Sequence, residues 1–117
     1  MTQSGSERFP KTARLRKRTE FVKLSHTGSK FHSAHFVVIT KSNDAIESRL
    51  GITVSGKVGN SVVRNRIKRQ VREYFRRHRA DLPKATDFLI IARSAAATLA
   101  GELIASEIER AMALRRA

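Results

Sequence analysis

The stretch of residues 57–79 constrains the fold of this 117-residue chain more than any other. At the helical spacing of about 100° per residue, its apolar side chains fall on one arc of roughly 120°. These side chains are Val63, Ile67, Val71, Tyr74 and Phe75. Arg64 lies at the edge of the arc, and basic residues fill the opposite side. The pattern predicts an amphipathic helix that packs one face on a core and turns the other outward.

The outward face of this helix is strongly basic, and its clustered like charges do not stabilise the fold. The stretch holds nine basic residues and one acid, Glu73. Like-charge pairs such as Arg64 and Lys68 each destabilise a helix by about 0.2–0.5 kcal/mol. Burial of the five apolar side chains stabilises it by roughly 8–15 kcal/mol before conformational entropy is subtracted. A solvated face would normally mix glutamate with lysine. The helix therefore tolerates its charge, and the face indicates a polyanionic partner.

The positive charge of the chain is concentrated in its first two-thirds. The net charge is +14, and the first 80 residues hold 19 basic and five acidic residues. From Asp81 onward there are five of each. We expect the partner to bind the first part of the chain. Nucleic acid is the leading candidate, and an anionic membrane or the groove of a partner protein is the remote one.

Length and composition indicate one α+β domain without disulfides. The chain has no cysteine, which excludes disulfides and thiolate metal sites. No apolar run approaches the ~18 residues of a membrane span. The N-terminus lacks the apolar core of a signal peptide, so we expect a cytoplasmic protein. We expect residues 1–13 to be a disordered tail and residues 14–117 to form a single RNA-binding domain.

The remaining elements are placed by periodicity and by helix and turn signals. We expect helices at 20–27, capped by Thr19, at about 61–79, capped by Asn60 or Ser61, and at 99–114. Strands are expected at 29–33, 35–41, 49–55 and 87–93, with 94–98 as a linker. The second and third strands are predicted to form an antiparallel hairpin, and the apolar fourth strand to be interior. The last helix should bury a stripe of Leu103, Ile104, Ile108 and Met112. The fold class is α+β, with three helices and one mixed four-stranded sheet in the order α-β-β-β-α-β-α.

Residues that could perform chemistry form no convincing site. The four histidines, His26, His32, His35 and His78, show no metal-ligand spacing and have no carboxylate partner near them in sequence. They are interpreted as ordinary surface histidines. The acids of the last helix, Glu102, Glu107 and Glu109, are interpreted as solvated or paired. We predict no catalytic residue and no metal site in the protein.

A second basic segment precedes the first helix. Arg14, Arg16 and Lys17 come shortly before Phe21, and Phe36 opens the second strand. Aromatic side chains beside a basic groove hold single-stranded nucleic acid by stacking and backbone charge. The alternative is that both phenylalanines belong to the core. The first interpretation gives two RNA-contacting surfaces, one on the sheet and one on the helix.

The motif KVGNSVVRNRIKRQVRE at residues 57–73 resembles the signature of the bacterial ribonuclease P protein subunit. Arg64, Asn65 and Arg66 match the arginine–asparagine–arginine element of that family. The flanking segments RLRKRTEF, FVVIT, RLGITVS and DFLIIAR follow in the family's order, so the similarity spans residues 13–114. Two positions depart from the pattern. Ser25 stands where many members have a second aromatic residue, and Gly56 where members often have a basic one.

The resemblance implies a protein that assists a catalytic RNA in removing the 5′ leader of precursor tRNA. That RNA positions Mg²⁺, and the complex would be a 1:1 ribonucleoprotein that needs no protein partner and no membrane. The implied contacts to the catalytic RNA are Lys57, Asn60, Arg64, Asn65, Arg66, Lys68, Arg69 and Arg72. The implied leader cleft is formed by Arg14, Arg16, Lys17, Phe21 and Phe36. The family fold also implies a left-handed β-α-β crossover through the basic helix, against the usual hand. A stand-alone RNA-binding module, such as a ribosome-associated one, is the alternative function.

Overall fold

A computed structural model of the chain describes residues 18–43 and 48–116, with the backbone alone at positions 18, 20, 21 and 113–116. Its helices are α1 (Arg18–Thr27), α2 (Ser61–Arg77) and α3 (Gly101–Arg116). Its strands are β1 (Ser29–His32), β2 (Phe36–Ser42), β3 (Arg49–Thr53) and β4 (Thr86–Ala92). Two short 3₁₀ turns, Arg79–Asp81 and Ser94–Thr98, precede β4 and α3. The predicted α+β fold and its element order are confirmed.

The four strands form one mixed sheet in the order β1-β2-β4-β3. β2 pairs antiparallel with β1 and with β4, whereas β3 pairs parallel with β4. The predicted hairpin between the second and third strands is therefore wrong, because β4 lies between them. β4 is apolar on both faces, so it gains most from a central position with a strand on each edge and helices above and below. The left-handed crossover through α2 stays a prediction.

The two faces of the sheet carry cores of different size. Phe36, Val38, Phe88 and Ile90 alternate along β2 and β4 and point into the main core, which α2 and α3 complete. The other face holds a small cluster in which Leu24 of α1 covers Ile39 and Leu89. This division follows the period of two along a strand. On that face, Val37 of β2 and Ile91 of β4 are only partly buried.

α2 begins and packs as its sequence predicts. Asn60 is the N-cap, and its side-chain oxygen accepts a hydrogen bond of 3.0 Å from the backbone N–H of Val63. The predicted apolar stripe is confirmed, because four of its members are buried and Val63 is partly buried against the main core. The hydrogen bond from Asn60 satisfies one of the unpaired N–H groups at the helix start.

Other boundaries and burials differ from the predictions. α1 already includes Thr19, so Thr19 is not its cap. Residues 94–98 form a 3₁₀ turn with Ala96 buried, and are not a simple linker. In α3 the stripe is confirmed at Ile104, Ile108 and Met112, but Leu103 is 51% exposed. Leu103 points about 100° away from Ile104, on the side opposite to Ile108 and Met112, so it falls outside the buried arc of α3. The expected tail at 1–13 lies outside the described residues. None of the helices described is long and apolar enough to span a bilayer.

A candidate nucleic-acid interface

The outer face of α2 is basic and is turned away from the core. The buried stripe fixes how the helix is rotated against the sheet, and this rotation turns the opposite side to solvent. We define this outer face by Asn65, Lys68, Arg69 and Arg72. Lys68 is half-buried, and the other three are exposed. Cationic side chains on one side of a rigid helix are suited to phosphate groups along a nucleic-acid backbone.

The two arginines that flank Asn65 lie at the margins of the packed side of the helix. Both Arg64 and Arg66 are half-buried. The Arg64 Nε donates to the backbone oxygen of Gly59 at 3.2 Å. The Arg66 guanidinium donates to the backbone oxygens of Leu99 and Ala97 at 2.9 and 2.8 Å. Both of these predicted RNA contacts are thus held by the protein's own backbone.

The start of α2 contributes one exposed cation. Lys57 lies in the turn that leads into the helix and is exposed, while Val58 next to it is buried. The Val58 N–H donates to the oxygen of Ser55 at 3.0 Å, which fixes the turn. Lys57 is therefore a further exposed cation near the N-terminus of α2. Asn60, also predicted to bind RNA, uses its side-chain oxygen as the helix cap.

The end of α2 is partly neutralised by an ion-pair cluster. Glu73 accepts from Arg76 at 2.5 Å and from Arg77 at 2.8 Å. Hydrogen bonds from Arg76 and then Arg77 lower the pKa of Glu73 from 4.5 to about 2. Glu73 therefore stays ionised at neutral pH. Because Arg76 and Arg77 share this carboxylate, the excess positive charge is concentrated in the first three turns of the helix.

The second candidate surface is the face of the sheet that carries α1. α1 sits close to this face at its C-terminal end. A Cβ atom on Gly28 would lie 2.5 Å from the Ile39 Cγ2 and 2.9 Å from the oxygen of Leu24, so only glycine fits there. Lys41 Nζ donates to Thr27 Oγ1 at 3.0 Å across the same contact. The backbone of α1 thus touches the sheet at one end.

Beside α1, a strip of partly exposed side chains crosses the sheet. The strand register aligns His32 with Val37, Val37 with Ile91, and Ile91 with Thr53. Aligned neighbours point to the same face, and Val37 and Ile91 pack against the cluster that Leu24 covers. His32 is exposed and the other three are half-buried. We call these four residues the open strip; an extended ligand could lie along it.

The predictions for the leader cleft fare differently from residue to residue. Arg14, Arg16 and Lys17, and the side chain of Phe21, lie outside the described residues. The backbone of Phe21 belongs to α1, the helix beside the open strip. Phe36 is 0% exposed in the main core, on the sheet face opposite α1. Its ring therefore cannot stack on a nucleotide, and the alternative interpretation of Phe36 as a core residue is correct.

A buried carboxylate anchors the loop between β1 and β2, and sequence analysis missed it. Glu107 of α3 accepts hydrogen bonds from the Ser33 hydroxyl and from the backbone N–H of His35, and pairs with the His35 Nδ1 at 2.6 Å. Burial raises the pKa of Glu107, but the hydrogen bonds from Ser33 and His35 outweigh it and leave the pKa below its ordinary value. Glu107 is paired, which is one of the two alternatives predicted for it, but it is buried; His35 is half-buried, and its ring is hydrogen-bonded to Glu107. Their 72-residue separation hides the pair in the sequence.

A surface on the sheet was predicted, but the four residues of the open strip were not named, although their signal is present in the sequence. In β2, Phe36 and Val38 alternate with Val37 and Ile39, and both sets are apolar. A strand with two apolar faces needs cover on each. α1 has only ten residues, and among its described side chains, at positions 19 and 22–27, Leu24 is the one that is buried. That mismatch could have indicated a partly open surface.

Three comparisons with known proteins agree on one family. The Ribonuclease P family model matches residues 9–115. Proteins named ribonuclease P protein component from Desulforapulum autotrophicum and Citrifermentans bemidjiense are 44% and 42% identical to this chain. The first similarity covers 89% of each chain, and the second covers 91% of this chain and 90% of the relative.

Solved structures show the same similarity in three dimensions. The Staphylococcus aureus RNase P protein superposes with a TM-score of 0.85 at 34% identity, covering 89% of this chain and 95% of that one. The Thermotoga maritima RNase P protein gives a TM-score of 0.77 at 32% identity, covering 85% and 94%. In both cases the similarity extends over most of both chains.

Proposed function

We propose a function from one premise: this chain belongs to the ribonuclease P protein family. It is the protein subunit of a ribonucleoprotein endoribonuclease and assists a catalytic RNA in removing the 5′ leader from precursor tRNA. The match of the family model to residues 9–115 carries this conclusion. The asymmetry of α2, apolar toward the core and basic toward solvent, supports an RNA partner independently.

The catalytic RNA of ribonuclease P is the partner that we assign to the outer face of α2. Exposed Asn65, Arg69 and Arg72, with Lys68 and Lys57, present donors to phosphate oxygens and sugars. Arg64, Arg66 and Asn60 lie next to them and hold backbone groups at the margins of the same helix. Phosphate contacts fix the register of a protein on RNA without reading its sequence.

The single-stranded leader of precursor tRNA is the ligand that we assign to the open strip beside α1. Its aliphatic members, Val37 and Ile91, offer apolar surface for nucleotides. The segment before α1, with Arg14, Arg16 and Lys17, would supply charge to the leader backbone, and Phe21 would supply a stacking ring. Stacking and backbone charge together bind single strands with little sequence preference.

The chemistry of cleavage belongs to the RNA in this proposal, with Mg²⁺ as its metal. Among residues 18–43 and 48–116, no three His, Cys, Asp or Glu side chains gather in a group that could hold a metal ion. In this proposal the RNA carries the catalytic step, and this chain carries none. Its contribution is to bind the leader and to stabilise the RNA, in a 1:1 complex that works in the cytoplasm.

Cleavage of precursor tRNA by the RNA subunit at low Mg²⁺ tests this function. We expect the RNA alone to be nearly inactive, and addition of the protein to restore cleavage at the same Mg²⁺ concentration. A protein that carries Arg69→Gln and Lys68→Gln should need a higher protein concentration for the same rate. A folded wild-type protein that leaves the Mg²⁺ requirement unchanged would contradict the proposal.

Two variants test the assignment of two surfaces. Phe21→Ala should reduce the affinity of the assembled complex for precursor tRNA and leave assembly with the RNA subunit nearly intact. Arg69→Gln should do the reverse. Filter binding with labelled RNA subunit, and separately with labelled precursor tRNA, measures the two affinities. Equal losses in both assays from both variants would show that one surface serves both RNAs, as expected of a stand-alone RNA-binding module.

A further inference from the structure

Arg66, the second arginine of the Arg64-Asn65-Arg66 element, contacts the connection between β4 and α3. The Arg66 Nη1 donates to the oxygen of Leu99 at 2.9 Å, and Nη2 donates to the oxygen of Ala97 at 2.8 Å. These two acceptors are 33 and 31 residues away along the chain. One planar guanidinium therefore spans the connection between β4 and α3 in a two-donor fork.

The two carbonyl groups lie where the chain needs a donor. Ala97 belongs to the 3₁₀ turn Ser94–Thr98, and Leu99 is its C-cap. Carbonyl groups at the end of a short helix lack partners within it and carry the negative end of its dipole. Arg66 supplies both hydrogen bonds and a positive charge. It thereby fixes this turn against the side of α2.

The contact is part of a packed seam between α2 and the start of α3. Val63, Arg66 and Gln70 are spaced by three and four residues, so they lie along one side of α2. Val63 packs against the core, and a Cβ atom on Gly101 would come within 3.0 Å of the Gln70 Cδ. Arg66 lies midway along this seam, between an apolar contact and a close backbone approach.

We propose that Arg66 acts as a positioning residue, which locks the rotation of α2 so that its outer face meets the catalytic RNA. The inference rests on the proposed function. A rotation of about 15° around the helix axis moves a side-chain tip roughly 5–6 Å from the axis by about 1.5 Å. That is enough to weaken a hydrogen bond to a phosphate oxygen, whereas the cation stays close enough to the phosphate to displace its counterion. Arg66 thus affects RNA binding by orienting Arg69 and Lys68, while its own guanidinium is hydrogen-bonded to the carbonyl groups of Ala97 and Leu99.

Salt dependence separates positioning from direct phosphate contact. Affinity falls as salt rises, and we take the slope of log affinity against log salt as a positive magnitude. Each phosphate contact that is lost lowers this magnitude by about 0.7–0.9. The affinity for the ribonuclease P RNA subunit is measured between about 50 and 200 mM salt for wild type, Arg66→Met, Arg66→Lys and Arg69→Met. We expect Arg69→Met to lower the slope by about 0.7–0.9. Arg66→Met should weaken binding about tenfold at the wild-type slope.

The lysine variant is the decisive comparison. A lysine side chain in place of Arg66 would keep the charge but cannot reproduce a planar fork onto two carbonyl groups. Positioning predicts that Arg66→Lys weakens binding nearly as much as Arg66→Met. A phosphate contact predicts that Arg66→Lys binds like wild type, and that Arg66→Met lowers the slope by about 0.7–0.9. Either of these last two results would overturn the proposal.

The temperature of the measurement controls for global unfolding. Binding is measured well below the thermal midpoint of each variant, so a change in fold stability alone leaves the affinity at its wild-type value. The slope is also independent of the active fraction of a preparation. Wild-type affinity in a folded, less stable Arg66→Met protein would show a structural role only and would overturn the proposal. If the wild-type protein itself fails to bind the RNA subunit, the proposed function fails instead.

Discussion

The basic residues of α2 differ in their surroundings, and the surroundings determine what each can do. Arg69 is exposed on the outer face. Arg64 and Arg66 donate to backbone oxygens, while Arg76 and Arg77 share Glu73. A count of positive charges along the helix therefore overstates the number available to RNA. Exposure and existing partners separate the groups that we assign to phosphates, such as Arg69, from those that bond within the protein, such as Arg66.

At the scale of one residue, Arg69 is the clearest test of the outer face. Arg69→Gln should weaken binding of the RNA subunit by about 0.5–1.5 kcal/mol, since it removes one charge-assisted contact and the release of its counterion. Arg110→Gln is the matched control, because Arg110 is exposed on α3 in the part of the chain without excess charge. Filter binding at one salt concentration measures both variants. Equal losses would mean that overall charge, and not the outer face, drives binding.

At the scale of elements, the contact between α1 and the sheet depends on a glycine. Gly28→Ala places a methyl group 2.5 Å from the Ile39 side chain and 2.9 Å from the oxygen of Leu24. α1 must move away from the sheet, and we expect a loss of about 1–3 kcal/mol in the free energy of unfolding. Gly56→Ala is the control, because nothing lies within 4 Å of its Cβ position. Urea unfolding of both variants measures the difference, and wild-type stability of Gly28→Ala would contradict this close contact.

The buried Glu107 links α3 to the β1–β2 loop, and its pKa sets a pH dependence. The folded pKa lies below the ordinary value of 4.5. The carboxylate therefore stabilises the fold above pH 4.5, and this contribution is lost as the pH falls through the folded pKa. Arg93 also donates to the Ser33 oxygen at 3.0 Å, so the loop has a second anchor. The protonation of Glu107 should loosen one of two attachments of this loop.

Glu107→Gln tests this linkage. At neutral pH we expect a loss of about 1–3 kcal/mol in the free energy of unfolding, because a charged acceptor of three hydrogen bonds is removed. Below pH 4.5 the difference from wild type should shrink, since the wild-type carboxylate is then becoming protonated as well. Chemical unfolding at several pH values measures both. A difference that stays constant from about pH 7 to about pH 3 would contradict the pKa assigned to Glu107.

At the scale of the whole molecule, local patterns in the sequence predict more than long-range pairings. The apolar arc of α2, its Asn60 cap and the interior position of β4 follow from spacing and residue type. The β2–β3 hairpin was predicted wrongly because chain proximity favours it, whereas burial of both faces of β4 places that strand between them. Phe36 has an aromatic ring that could stack on a base, but its position in the alternation along β2 directs the ring into the core. Arg66 and Glu107 find their partners 31 and 72 residues away, and no local pattern reports such contacts.

The central claim is that the protein increases the affinity of the ribonuclease P complex for the leader of precursor tRNA. Its most direct test is the ratio of affinities for precursor and mature tRNA, measured for the RNA subunit alone and for the RNA–protein complex at the same salt and Mg²⁺. We predict that the protein raises this ratio at least about tenfold, equivalent to roughly 1.4 kcal/mol. A ratio that is the same with and without the protein would contradict the account.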